Sequence, residues 1–286
     1  MFKLYRDAFK VTNDGIVLTI PLTLFWWLIT LYIDYSKTVV DTIPEVILSA
    51  VTMLFMTSAF CAGWFYMVKK CVRFAKKEFI MDFDRNSESM KLIKALPNGV
   101  GKFFLHYVTV SMLFVAIALA MVFIIKICSY ESVKTIGDIL LSYGIPTDSI
   151  SEVQSGLDKL SPNVILNMFG KIAMPGLKLA AIVFLIPAIF SFVLMLWMPE
   201  IIYTYKNPFV AIFTSATKVF KNFGKSMKLY IYITIIQMLI SLIGPFSLLN
   251  IFMYMLMMII YFYFLVYVVV LVFMYYDNIC MQKQEG

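Results

Sequence analysis

Polar and apolar residues alternate along this chain in long blocks rather than residue by residue. Six blocks are almost wholly apolar: 16–33, 46–68, 103–128, 173–203, 229–244 and 251–276. A helix crosses the roughly 30 Å hydrocarbon core of a bilayer in about 20 residues, so the blocks predict six transmembrane helices. Shorter stretches between them have a different pattern. In 1–15, Phe2, Tyr5, Ala8, Phe9 and Thr12 share one helical face, and Lys3, Arg6, Asp7 and Lys10 share the other. Asn13, Asp14 and Gly15 then predict a stop. Met90, Ile93 and Leu96 repeat the pattern with Lys91 and Lys94 opposite, ahead of an expected stop at Pro97, Asn98 and Gly99.

The third such stretch is the most complete. Asn207 is a helix cap and Pro208 suits the first helical position. Phe209, Ile212, Phe213, Ala216, Val219, Phe220 and Phe223 then line one face, with Thr214, Thr217, Lys218 and Lys221 on the other and Gly224 as the expected stop. A helix this short and this amphipathic lies in the membrane interface rather than across it. Burying its four phenylalanines at roughly 1.5–3 kcal/mol each gives at most about 6–12 kcal/mol. Each lysine near an anionic leaflet adds about 1 kcal/mol. Apolar burial is therefore the expected anchor, and charge selects the leaflet.

The fold class expected is an all-α integral membrane protein, a single polytopic domain over 1–286 with short amphipathic interfacial helices. The three interfacial stretches, each leading into a pair of spans, predict three helix-pair repeats; a composition rich in Lys, Phe, Asn and Ile accounts for the likeness equally well. Residues 129–172 form the one long hydrophilic segment. Val133, Ile136, Leu140 and Tyr143 predict a helix broken at Gly144, with two short helices after it separated at Ser161 and Pro162. No small-x-small cleavage site follows the first block, which reads as a span rather than a leader.

Composition agrees with this class. Hydrophobic residues make up 62% and charged residues 14%, with a mean hydropathy of +0.87. Soluble domains are about half apolar and a quarter charged. The net charge of +7 lies between the apolar blocks, which points to lipid rather than nucleic acid as partner. Eighteen of the 24 Lys and Arg residues fall in 1–15, 69–102, 206–228 and the C-terminal tail; the other six lie on the opposite side of the predicted spans. That bias predicts a multi-pass protein of the cell (inner or plasma) membrane, with both termini cytoplasmic, facing an anionic inner leaflet.

Candidate chemistry is sparse. His106 is the only histidine and reads as an interfacial polar residue. Cys61, Cys71, Cys128 and Cys280 have no CxxC spacing. Asp82 and Asp84 read as a solvated turn. No catalytic, cofactor-binding or metal-binding residue is expected, and no enzymatic activity. Gln237 is the best candidate for a buried interhelical hydrogen bond. Glu200 and Asp277 sit at the cytoplasmic ends of the fourth and sixth spans, placed for pairing with lysines or for a gating role. Small residues four apart, such as Ala59 and Gly63, mark helix contacts. The sixth block has few small residues, so much of it is expected to face lipid. A membrane-protein partner or a second copy of the chain fits such contacts.

Two stretches carry a family resemblance. Residues 198–230 end one span with a proline and an acidic residue, then give an Asn-Pro-capped helix with an Asn-x-Gly stop. Residues 273–278 (FMYYDN) close an aromatic-rich span with an aspartate. In these features the chain resembles uncharacterised bacterial six-span membrane proteins and the membrane domain attached to some glycerophosphodiester phosphodiesterases. The resemblance implies an integral membrane domain; it carries over no phosphodiesterase activity, since no counterpart of the hydrolase domain is expected in 1–286. Three function classes follow: a non-enzymatic organiser of lipid or of other membrane proteins, a permease or transporter subunit, and a lipid-modifying enzyme. The last requires Glu200, Asp277 and His106 to converge.

Overall fold

A computed structural model of the chain describes residues 1–75, 82–147, 149–158, 160–204, 207–245 and 250–281. Every regular element among them is helical: α1 (Phe2–Asp14), α2 (Thr19–Val39), α3 (Ile43–Ala75), α4 (Asp82–Ser142), α5 (Ile150–Asp158), α6 (Pro162–Leu194), α7 (Trp197–Thr204), α8 (Pro208–Lys221), α9 (Phe223–Ile243) and α10 (Ile251–Tyr275). A 3₁₀ turn, Ile16–Leu18, joins α1 to α2, and a π turn, Tyr276–Met281, follows α10. Six stretches are long and apolar enough to cross a membrane: Ile16–Val39, Ile43–Ala75, Lys91–Ser142, Pro162–Thr204, Phe223–Ile243 and Ile251–Asn278. The chain is a multi-pass helical membrane protein.

It packs as two compact units. One holds 1–113 and 192–286, the other 114–191. In the smaller unit α4 ends where Gly144 takes a positive φ of 73°, a conformation that favours glycine. Ile145 is buried beside Gly156 of α5, and the Lys171 ammonium lies 5.3 Å from the Tyr143 ring centre. The helix expected from Val133 to Tyr143 is the end of α4. Of the two short helices expected on either side of Ser161 and Pro162, the first is α5 and the second is not separate, because α6 runs unbroken from Pro162 to Leu194.

In the larger unit, two helix starts follow from local chemistry. The Glu45 carboxylate accepts from the backbone N–H groups of Asp41 (3.0 Å) and Thr42 (2.9 Å), which fixes the short α2–α3 connection. Asn207 Oδ1 accepts from the Phe209 N–H at 3.1 Å, with Pro208 next in line, so the cap of α8 is as expected.

Four further expectations are corrected. The second interfacial helix is not a separate element, because α4 runs unbroken through Pro97, Asn98 and Gly99. Gly99 is a crossing point instead of a stop. A Cβ there would stand 2.7 Å from Tyr66 Cβ, 2.8 Å from the Ala62 carbonyl and 2.9 Å from Gly63 Cα. Gly63 in turn lies against the Leu96 carbonyl, and the two glycines let the backbones of α3 and α4 approach. The stop before α9 is Asn222, and Gly224 lies inside that helix beside open space. The fourth span divides after Leu194 into α6 and the short α7. The expectation that much of the sixth span faces lipid holds for its first half only. Its first half is exposed at Ile251, Phe252 and Ile259, but Val270 to Tyr275 are buried without interruption. Its bulky residues fill the protein interior where α1, α3, α7 and α9 meet it.

The crossing generates a test. Gly99→Ala should lower the thermal midpoint of the protein in nanodiscs, with overpacking costing about 1–3 kcal/mol. Gly101→Ala, where a Cβ meets nothing within 4 Å, should be neutral or stabilising. Equal midpoints for the two variants would refute the close approach.

Candidate functional site

The site is built on α7 and α8, two short helices that form a hairpin. Trp197, 1% exposed, donates its indole N–H to the Pro208 carbonyl at 3.1 Å and pins the start of α8 to α7. At about 100° per residue, Pro208, Ala211, Ser215 and Val219 fall on one stripe of α8, and all four are buried against the protein. Phe209, Phe213 and Phe220 run along a neighbouring stripe, with Phe223 just beyond at the start of α9, and the four stay 51%, 73%, 56% and 49% exposed. Lys221 is exposed on the far side of that row. The phenylalanine face is as the sequence suggests. The lysine face is not.

Lys218 turns inward. It lies at the other edge of the packed stripe, and its stem carries the ammonium over α7. There Lys218 Nζ donates to Glu200 Oε2 at 2.6 Å and to the Tyr276 hydroxyl at 2.7 Å. Tyr276 donates to the same carboxylate oxygen at 2.7 Å, closing a triangle. Glu200 has no exposed surface. Its ion pair with Lys218 is the pairing role considered for Glu200, with a partner that the amphipathic pattern assigns to solvent. Beside it, the Ser226 and Tyr275 hydroxyls share a hydrogen bond of 2.8 Å that ties α9 to α10.

A second group of charges adjoins the triangle. Lys69, 3% exposed, donates to the Ile202 carbonyl at 2.6 Å. Its ammonium lies 5.0 Å from the Tyr203 ring centre, and the Arg73 guanidinium 5.8 Å from the same ring. Tyr203 also packs on Tyr276, with ring centres 5.3 Å apart. Asp277 acts electrostatically on both Lys69 and Tyr203. Glu200 and Asp277 thus belong to one polar region, and the two stretches singled out in the sequence, 198–230 and 273–278, meet there.

The other candidates lie elsewhere. His106 is half-buried and packs edge-on against Phe103, taking no part in these contacts. Gln237 is exposed rather than buried, on a face of α9 with Thr234, Met238 and Ser241. An apolar groove of about 520 Å³ separates α2 from α10, lined by residues that include Trp26, Trp27, Tyr254 and Phe262. Among the described residues, no three His, Cys, Asp or Glu side chains converge as a metal site would need.

The N-terminal helix is held by a tyrosine ladder. Tyr263 donates to Asn13 Oδ1 at 2.6 Å, and Tyr267 shares a 2.9 Å hydrogen bond with Tyr232. The Tyr5 ring stacks on Tyr232 at 4.0 Å between centres. Burial, and then the Tyr232 phenol, raise the Tyr5 pKa above its ordinary value. Sequence reasoning missed Lys69, Tyr203 and Tyr276. Their signal was position, since each stands at the polar end of an apolar block.

Comparison with known proteins finds no matching family model, no matching curated protein and no matching solved structure.

Removing one partner of a buried ion pair leaves the other charge stranded, at a cost of about 3–5 kcal/mol. Lys218→Met should therefore destabilise strongly, and Lys221→Gln should change stability by less than about 0.5 kcal/mol. Adding Glu200→Gln to Lys218→Met should recover part of the loss. Denaturant midpoints in nanodiscs measure all three, and a Lys218 variant as stable as the Lys221 variant would refute the inward placement. Lys218 is committed to Glu200, so the expected contest between apolar burial and leaflet charge on α8 concerns Lys221 and not Lys218.

Proposed function

We propose that this protein is a non-enzymatic component of the inner or plasma membrane that organises anionic lipid, or assists other membrane proteins, at the cytoplasmic leaflet. The observation that carries this reading is the row of exposed phenylalanines on α8, a helix locked to the protein along its adjacent stripe. A free amphipathic peptide could turn its apolar face wherever it is best covered. Here the Trp197 and Lys218 contacts fix the direction in which the row points. Covering what remains exposed contributes roughly half of the full burial value, about 3–7 kcal/mol. Lys221, Lys225 and Lys228 stand exposed nearby, which suits an anionic surface. The internal neutralisation of Glu200 supports a structural role for that carboxylate over a chemical one. The resemblance to six-span membrane domains is consistent with this reading.

Two measurements test it. Phe213→Ser with Phe220→Ser should reduce the folded yield in membranes, and spin labels along 208–223 should show lipid immersion with a period near 3.6 residues. Uniform water exposure would refute the interfacial placement. The cytoplasmic assignment is tested separately, in intact cells with the native cysteines replaced. An impermeant thiol reagent should label Ser151→Cys and spare Lys225→Cys, and the reverse pattern would invert the topology.

A further inference from the structure

We infer that α9 pairs with the α9 of a second copy of this chain, along a seam of Thr234, Gln237, Ser241 and Gly244 in which the two Gln237 carboxamides bond to each other. The pairing does not depend on where the phenylalanine row of α8 is seated. Three observations converge on it. The first is depth. Lys225 and Lys228 are the last charged residues of α9. Gln237 follows nine residues after Lys228, about 13 Å along the helix and near the middle of a hydrocarbon core of roughly 30 Å. Water does not reach that depth to satisfy a carboxamide, and a polar group left unbonded in hydrocarbon is costly. The second is an unused side chain. The Thr234 hydroxyl donates to the Tyr230 carbonyl and the Ser241 hydroxyl to the Gln237 backbone carbonyl, both at 2.9 Å, so these hydroxyls are satisfied within α9. The Gln237 side chain is exposed, and among the described residues its carboxamide has no hydrogen-bond partner. The third is an uncovered face. Of α9 only Ser226 and Leu229, both near its start, are buried. Thr234, Gln237, Met238, Ser241 and Leu242 line an open hollow of about 490 Å³. A Cβ on Gly244 would meet nothing within 4 Å.

The seam residues stand three, four and three positions apart. That is the 3.5-residue spacing of helices that cross at a shallow angle and interlock. Small side chains at such positions let two backbones approach in a membrane. A second copy is the occupant this chemistry selects. A carboxamide carries both donors and an acceptor, so two of them satisfy each other reciprocally. Copies inserted the same way in one bilayer are related by a two-fold axis along the membrane normal, which sets the two α9 helices parallel. In a parallel seam each residue meets its own counterpart, so Gln237 faces the partner's Gln237.

The full chain, with its native cysteines replaced, is reconstituted in liposomes of phosphatidylglycerol and phosphatidylcholine. Oxidation should link Ser241→Cys into a disulfide dimer and leave Leu239→Cys, exposed on the opposite face of α9, largely monomeric. Dilution of donor- and acceptor-labelled protein into excess lipid should give Gln237→Leu a dimer dissociation constant about tenfold above wild type, as for lost interhelical hydrogen bonds. Gln237→Asn should recover the pairing in part. At dilutions where wild type is monomeric, Gln237→Leu should match its thermal midpoint, because Gln237 bonds to nothing in its own chain. A lower midpoint there would assign the carboxamide to the fold of its own chain and overturn the inference. Association of Gln237→Leu equal to wild type, or linkage at Leu239→Cys equal to that at Ser241→Cys, would overturn it too. So would a wild type that stays monomeric in liposomes while Ser241→Cys is linked to a different protein in native membranes. If the spin labels on α8 still report immersion in those cases, the seam fails alone and the interfacial reading stands.

Discussion

A carboxylate with no exposed surface has to be neutralised where it stands, and much of one end of this molecule is arranged around meeting that need at Glu200. Its acceptor oxygen receives both the Lys218 ammonium and the Tyr276 hydroxyl, so the α7–α8 hairpin and a residue 76 positions beyond Glu200 must arrive together. Taking two charges out of water costs several kcal/mol, and a well-formed pair only roughly offsets that cost. The triangle is therefore better understood as a device that fixes geometry. It determines which way α8 is rolled. That roll aims the phenylalanine row outward and keeps Ala211, Ser215 and Val219 against the protein.

The same logic explains the behaviour of α10. Inside a bilayer, apolar burial does not distinguish lipid from protein, and specific hydrogen bonds and close packing hold helices together. Along α10 these bonds come from tyrosines. Tyr263 and Tyr267 engage α1 and α9, Tyr275 engages α9, and Tyr276, just beyond the helix, engages α7 and α8. Each phenol has an apolar body that packs and a polar tip that bonds. At the other contact, between α3 and α4, Gly63 and Gly99 leave room for backbone-to-backbone packing.

How much of this was legible in the sequence follows from the same physics. The six spans and the Asn207 cap were readable because block length, hydropathy and capping are local properties. The burial of α10 was not, because a valine facing lipid and a valine facing protein look alike in a sequence. Gly99 looked like a terminator because Pro97-Asn98-Gly99 is turn chemistry, and only the presence of α3 alongside makes it a crossing. Lys218 was assigned outward because a helical wheel gives lysines to the polar face. Its partner lies 18 residues back on another helix, beyond the reach of any periodicity. Of the candidate site residues, Glu200 and Asp277 were found by their position at span ends. Gln237 and His106 were singled out for polarity alone, and neither joins the polar region.

The docking of α1 on α10 has a consequence for how the chain is made. Asn13 is bonded to Tyr263, 250 residues further on. At a synthesis rate of roughly 5–20 residues per second, that partner arrives about 12 to 50 s after the helix that needs it. Through this interval α1 lacks its contacts with α10, although α3, which meets it at Val11 and Cys71, is already made. An amphipathic helix of this kind suits a membrane surface. The last span closes the fold by collecting the first helix.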